Sequence, residues 1–268
     1  MRKSPLIASF VGFLLLFVSL SHNTSSQDKI LLDDSYGAEK DVIPELQSVE
    51  SRDGRLILEY RFPGIYLNSI DVDTDKYDIF SIPGFSNGGE PGYPSLRVHT
   101  EIIAIGADTS PVITVDVLES HSMHDVSLFP AQYPASDCCG DDDPPFVINE
   151  DVYKTNSFFP ASRAEIYKIQ KMRGLPLAYL RISPFIYNPV KKEAQLAVRM
   201  RISIDYDAGS LNVPDQWGNH DLSLLKNVVI NSSALPEEAL NIRSTDSLDY
   251  IILTTDEFLT AAHNLSVW

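Results

Sequence analysis

Two cysteines, six histidines and a run of three aspartates hold most of the chemistry open to this chain. Cys138 and Cys139 are adjacent, so they cannot join distant segments, and a bond between them would close a strained small ring; two loop thiols are the plainer reading. Asp141, Asp142 and Asp143 follow Gly140 and offer the carboxylate oxygens that calcium takes. They lack the alternating spacing and glycine of an EF-hand loop, so a solvated acidic loop is expected and no cofactor is assigned. His121 and His124 bracket a gap that could suit a metal, but at a strand–loop boundary two solvated histidines are the ordinary case. There is no nucleophile elbow, phosphate loop or dinucleotide fingerprint. Arg243 and Ser244 lie in a polar stretch of the kind where proteolysis concentrates, and form a candidate processing site beside the plainer reading of a solvated linker. Asn23, Asn231 and Asn264 each open an Asn-x-Ser/Thr triplet, a pattern that also arises by chance.

The elements that must position these residues are mostly short alternating strands. In 200–206, Met200, Ile202, Ile204 and Tyr206 point one way and Arg201, Ser203 and Asp205 the other, the pattern of a half-buried strand. Similar runs occupy 56–62, 113–117, 164–172 and 177–182, punctuated by Pro63-Gly64, Pro83-Gly84, Gly88-Gly89, Pro91-Gly92 and Gly174. This predicts an all-β, antiparallel β-sandwich over 28–210. Two long loops interrupt it. Phe129 to Asp151 contains Pro130, Pro134, Pro144 and Pro145 with the cysteine–aspartate run, and cannot be one continuous strand. Leu211 to Leu248 is polar and reads as a connection, with a short helix expected near Pro236 to Asn241. After it, Tyr250 to Leu253 reads as a buried strand. Thr255 or Asp256 can cap a helix whose apolar stripe is Phe258, Leu259, Ala262 and Leu265. Nothing else in the sequence would cover that stripe, so 249–268 is expected to be the strand–helix start of a larger α/β domain.

Arg2 and Lys3 precede an apolar stretch from Leu6 to Leu20 and polar Ser21 to Gln27, the layout of a cleaved signal peptide over 1–26; the apolar run is shorter than the roughly 20 residues that span a bilayer. Export is therefore expected, with no membrane attachment after cleavage. A net charge of -16 argues against a nucleic-acid partner, since phosphate binding draws on lysine and arginine.

Three segments, in this order, resemble the N-terminal propeptide of the gingipain family of secreted cysteine peptidases, followed by the start of the peptidase domain. Gly88-Gly-Glu-Pro-Gly-Tyr-Pro-Ser-Leu96 is similar to a family turn that precedes an apolar strand, here Ile102 to Ile105, although Tyr93-Pro94-Ser95-Leu96 replaces the family's Leu-Pro. Arg181 to Val190, with its Tyr187-Asn188-Pro189 turn, is similar to a late hairpin. Asp249 to Trp268 is similar to the opening of the catalytic domain. The resemblance implies a prodomain whose partner is its own or a cognate peptidase catalytic domain, kept latent by a loop in the active-site cleft and assisted in folding. The family's catalytic dyad is a His followed by Gly and a strand-terminal Cys. None of the six histidines precedes a glycine and neither cysteine ends an apolar strand, so no catalytic residue is assigned and the chain is not expected to be an enzyme by itself. Some family members present Arg or Lys from the inhibitory loop, but here no lysine or arginine lies between Arg97 and Lys154. The inhibitory candidates are thus Cys138, Cys139, Asp141, Asp142 and Asp143. The rival expectation is a free-standing secreted β-sandwich of carbohydrate-binding or adhesion type, with Tyr66, Tyr77, Phe85 and Tyr93 as a stacking platform.

Overall fold

The computed structural model describes residues 27–33, 35–37, 39–52, 54–106, 110–134, 144–206, 211, 217–237, 252 and 254–266. Strands dominate, and every pairing between them is antiparallel. The largest sheet is built on β12 (Glu193–Asp205). On one side β12 pairs along its length with β8 (Val112–Met123); on the other it pairs with β11 (Phe185–Asn188) and then β3 (Arg55–Arg61), which pairs with β2 (Glu45–Arg52). A second sheet has the order β6 (Ser86–Gly88), β7 (Leu96–Ala104), β10 (Leu175–Ile182), β9 (Ala164–Met172). A third has the order β1 (Asp28–Leu31), β4 (Gly64–Val72), β5 (Asp75–Ser81).

The sandwich expected from the alternation is present. Leu56, Leu58 and Tyr60 of β3 and Met200, Ile202 and Ile204 of β12 pack against Ile103 of β7 and Ala178, Leu180 and Ile182 of β10. These residues recur at every second position because a strand turns successive side chains to opposite faces. The register of β12 shifts between Ala197 and Met200, and with it the buried face. Leu196 and Val198 join a second core with Ile65, Phe80, Phe185 and Tyr187, under the three-stranded sheet. A bulge admits one extra residue and re-aims the strand, so β12 serves two cores. Gly64, where the chain passes from β3 to β4, is held to glycine by space: a Cβ there would lie 2.4 Å from the Ile30 carbonyl oxygen and 2.5 Å from Val42 Cγ1.

At the rim of the first core, Tyr60 donates to Glu101 at 2.9 Å and His99 Nε2 lies 3.0 Å from the same carboxylate oxygen. The hydrogen bond to Glu101 raises the His99 pKa against the opposing effect of burial.

The stretch read as a polar connection contains a built element. α2 (Asn219–Lys226) lies on the outer face of the second sheet, where Trp217, Leu222, Leu225, Val229 and Leu235 bury Ala104, Leu175 and Leu177. Asp221 accepts from the Gly218 amide and pairs with Arg173, and the Trp217 indole donates to the Arg173 carbonyl at 3.1 Å. Ile230 donates to the Ile102 carbonyl, and Asn231 binds both the amide and the carbonyl of Ala104, so the segment covers one edge of β7. Asn231 is fully buried, which closes its Asn-x-Ser triplet to modification in the folded chain. The short helix expected near Pro236 to Asn241 falls mostly on 238–241, outside the described residues, and α2 is a helix not expected from the sequence. Its apolar face is only a few residues wide and interleaved with polar ones, a weak signal in sequence.

At the C-terminal end, a 3-10 turn (Asp256–Phe258) leads into α3 (Leu259–Ser266), and Phe258, Leu259 and Leu265 are exposed. Tyr250, Ile251 and Leu253 of the expected strand lie outside the described residues. No helix among the described residues is long and apolar enough to cross a membrane.

Truncating Trp217, 1% exposed, leaves a cavity under α2. Trp217→Ala is expected to cost about 3–5 kcal/mol of unfolding free energy in urea titrations; a change within 0.5 kcal/mol, the scale of an ordinary surface substitution, would show that 217–235 is a loose linker.

Candidate functional site

The loop at 129–151 is anchored at both ends by one turn. The turn spans 88–96, between β6 and β7, and contains two left-handed glycines, Gly89 (φ +114°) and Gly92 (φ +87°). The Gly92 amide donates to the Ala131 carbonyl at 2.7 Å on the first arm of the loop. The Gly92 carbonyl accepts from the Asn149 amide at 2.9 Å on the second. Ala131 returns a bond to the Tyr93 carbonyl at 2.7 Å, and Ser95 donates to the Phe129 carbonyl at 2.9 Å. A Cβ on Gly92 would lie 2.9 Å from the Asn149 nitrogen, so glycine is required both by its φ and by the second arm.

Gln132 ties the arms to each other. Its amide nitrogen donates to the carbonyls of Pro130, Ala131 and Val147 at 2.8–3.1 Å, and its oxygen accepts from the Val147 amide at 2.8 Å. Below these bonds Tyr77 of β5, Phe129 and Phe146 form a ring triangle with centroids 5.8–5.9 Å apart. Burial, with the Asp75 carboxylate second, raises the Tyr77 pKa. Asn149 then accepts from the Val152 amide and caps α1 (Glu150–Tyr153), and the Tyr153 hydroxyl donates to the Leu128 carbonyl at 2.7 Å. Asp78 continues the anchoring: its backbone and carboxylate hold Ser127 and Phe129 at 2.7–2.9 Å. Both feet of the loop, 129–134 and 144–149, are therefore fixed to the second and third sheets.

The sequence candidates in this loop, Cys138, Cys139, Asp141, Asp142 and Asp143, lie in 135–143, outside the described residues, as do the processing candidates Arg243 and Ser244. Among the described residues no group of three or more His, Cys, Asp or Glu is placed to hold a metal. The four aromatics of the rival platform go to separate tasks. Tyr77 is in the ring triangle; Phe85 packs on Phe62 and His99; Tyr66 reaches Asp41; Tyr93 belongs to the turn. Sequence reasoning missed Gln132 and Asn149, whose work depends on which carbonyls and amides the fold brings near. It did single out the glycine-rich turn, without its role as an anchor.

The Propeptide_C25 family matches residues 35–231. Among curated proteins, Lys-gingipain of Porphyromonas gingivalis is 27% identical over 151 residues, 54% of this chain and 9% of that protein. Lys-gingipain HG66 of the same organism is 26% identical over 151 residues. This chain thus spans under a tenth of the length of these relatives. Among solved structures, one on the zymogenic latency of gingipain K from P. gingivalis superposes with a TM-score of 0.54 at 22% identity, over 68% of this chain and 98% of that one. The complex of P. gingivalis RgpB pro- and mature domains superposes with a TM-score of 0.59 at 19% identity, over 73% of this chain and 100% of that one. At these identities the likeness establishes a shared β-sandwich fold.

Replacing Gln132 with Glu removes the two N–H donors shared among three carbonyls and sets a carboxylate against them, at a cost of about 1–3 kcal/mol. Faster hydrogen exchange at Ala131, Val147 and Asn149, with the β12 amides unchanged, is the expected readout; unchanged exchange at those three amides would show that Gln132 does not hold the arms.

Proposed function

The chain belongs to the Propeptide_C25 family, and from that premise we propose that it keeps a gingipain-like cysteine endopeptidase latent, with the 129–151 loop occluding the active-site cleft. The observation that carries this reading is the double anchor at Gly92 and Gln132. A loop whose feet are fixed loses less conformational freedom on entering a cleft, so more of its contact energy appears as affinity. The partner is the peptidase catalytic domain, in the same polypeptide or a cognate one. Tethering in one chain would raise its effective concentration at the loop. The gingipain K and RgpB structures, one on zymogenic latency and one of pro- and mature domains together, support such a partnership by similarity of fold.

The loop carries no lysine or arginine, and its sequence includes Asp137, Asp141, Asp142 and Asp143. An anionic plug would be repelled by an acidic pocket, so the partner's specificity pocket is proposed to be non-acidic. None of the six histidines precedes a glycine, as the dyad of the resembling peptidases requires, so catalysis is proposed to lie in the peptidase domain. Residues 1–26 serve export as a signal peptide, and 249–268 form the opening of the catalytic domain. Release requires a cut between the sandwich and that opening, for which Arg243-Ser244 is the candidate. A cut there leaves the 217–237 segment, with Trp217 and Asn231, on the released prodomain.

Two measurements test this. A chain covering 27–237 is expected to inhibit its cognate peptidase, and deletion of 138–143 to weaken that inhibition at least tenfold; inhibition undiminished by the deletion would exclude the loop as the plug. N-terminal sequencing of the matured peptidase is expected to begin at or near Ser244, and a start remote from it removes this processing site.

A further inference from the structure

On the other side of the 88–96 turn from the loop lies a cavity of about 180 Å³. Its walls are largely apolar, with Tyr93, Pro94, Leu96, Val98, Phe159 and Pro160. Arg163 also lines it and is 8% exposed. The guanidinium donates to the Pro184 carbonyl at 2.7 Å through Nη1 and to the Gln195 carbonyl at 2.9 Å through Nη2. Those bonds use two of its five N–H groups, and no carboxylate among the described residues pairs with its charge. The cavity's own acids do not supply one: Glu165 pairs with Arg181 at 3.3 Å, and Glu90 is exposed and forms no ion pair among the described residues. Burial pushes the Arg163 pKa down to about 10, so the group is still cationic at neutral pH.

A buried charge is costly unless paired, and two neutral carbonyls satisfy hydrogen bonds without cancelling it. We propose that this cavity is a binding site for a carboxylate carried on an apolar body, with Arg163 as its counter-charge and the Tyr93–Leu96 and Phe159–Pro160 walls around the body. An apolar cavity of about 150 Å³ is enough to hold benzene, so one ring or branched chain fits. Tyr93 and Pro94 belong to the turn that also holds the 129–151 loop, so an occupant would touch the loop's anchor from behind. The required chemistry belongs equally to a free small acid and to a Glu or Asp side chain flanked by apolar residues on a docked partner.

The site is tested with 3-phenylpropionate and its neutral amide, titrated into the full chain and followed by thermal shift. The acid is expected to bind about ten- to a hundred-fold more tightly than the amide, the range of a charge-assisted hydrogen bond, and Arg163→Gln to abolish the difference. Equal binding of acid and amide, or no binding of either, overturns the proposal, as does discrimination that survives in Arg163→Gln. If that variant does not fold, a perturbed Arg163 Nε resonance on adding acid but not amide to the native chain decides in its place; an unmoved resonance overturns the site. Competition then assigns the source in a mixture where the chain binds a cognate peptidase domain. Displacement by the acid identifies a partner side chain, and undisturbed association identifies a free acid. The binding arm needs no peptidase, so failure of the site and failure of the latency reading are separable.

Discussion

The fold depends on β12 having two buried faces at different heights. With Met200, Ile202 and Ile204 it closes the first core, and past the register shift Leu196 and Val198 close the second. β8, β3 and β11 all hydrogen-bond to this one strand, and at the bulge its buried side chains pass from the core shared with the second sheet to the core shared with the third. A one-residue slip would exchange core and solvent faces along the whole strand, so burial on both sides of the shift fixes the register.

The loop root inherits its position from that frame. Its feet bond to the 88–96 turn, which joins strands of the second sheet, and to Asp78 and Tyr77 of the third. The root therefore bridges two sheets that both share a core with β12. Backbone groups make most of these bonds, so many loop sequences are compatible with the root, provided that Gly92 remains glycine and Gln132 keeps its amide. A fixed root with a variable tip is what the proposed latency role requires, since the root then positions the plug while the tip sets its match to the cleft.

Charge is unevenly arranged. The chain is strongly acidic as a whole, yet buried Arg163 and half-buried Arg97, on either flank of the turn, bond to no carboxylate among the described residues. Arg97 donates to the Phe80 carbonyl and the Asn87 side chain, and burial lowers its pKa. Other arginines form surface pairs, such as Arg55 with Asp205 and Arg201 with Glu59, which contribute little to stability. The unbalanced positive charge thus sits beside the element that holds the anionic loop.

Much of the sandwich was legible in the residues. The 164–172 strand coincides with β9, and the faces of 200–206 fall as alternation requires, because period-two patterning reports burial directly. The β4–β5 hairpin was harder to see, since its strands carry Asp71, Asp75 and Asp78 among the apolar positions and one of its faces is largely solvated. The polar stretch after 210 hid α2 because a single helical turn of Leu222 and Leu225 has too short a period to stand out. What the sequence determined by itself was the strand pattern, the anionic character of the 129–151 loop and the glycine-rich turn, all properties of neighbours along the chain. Only the tertiary structure decided that this turn grips both feet of the loop, that Gln132 ties them and that Arg163 is buried against two backbone carbonyls. Those facts depend on which carbonyls, amides and acids from distant segments meet, and no local spacing encodes such meetings.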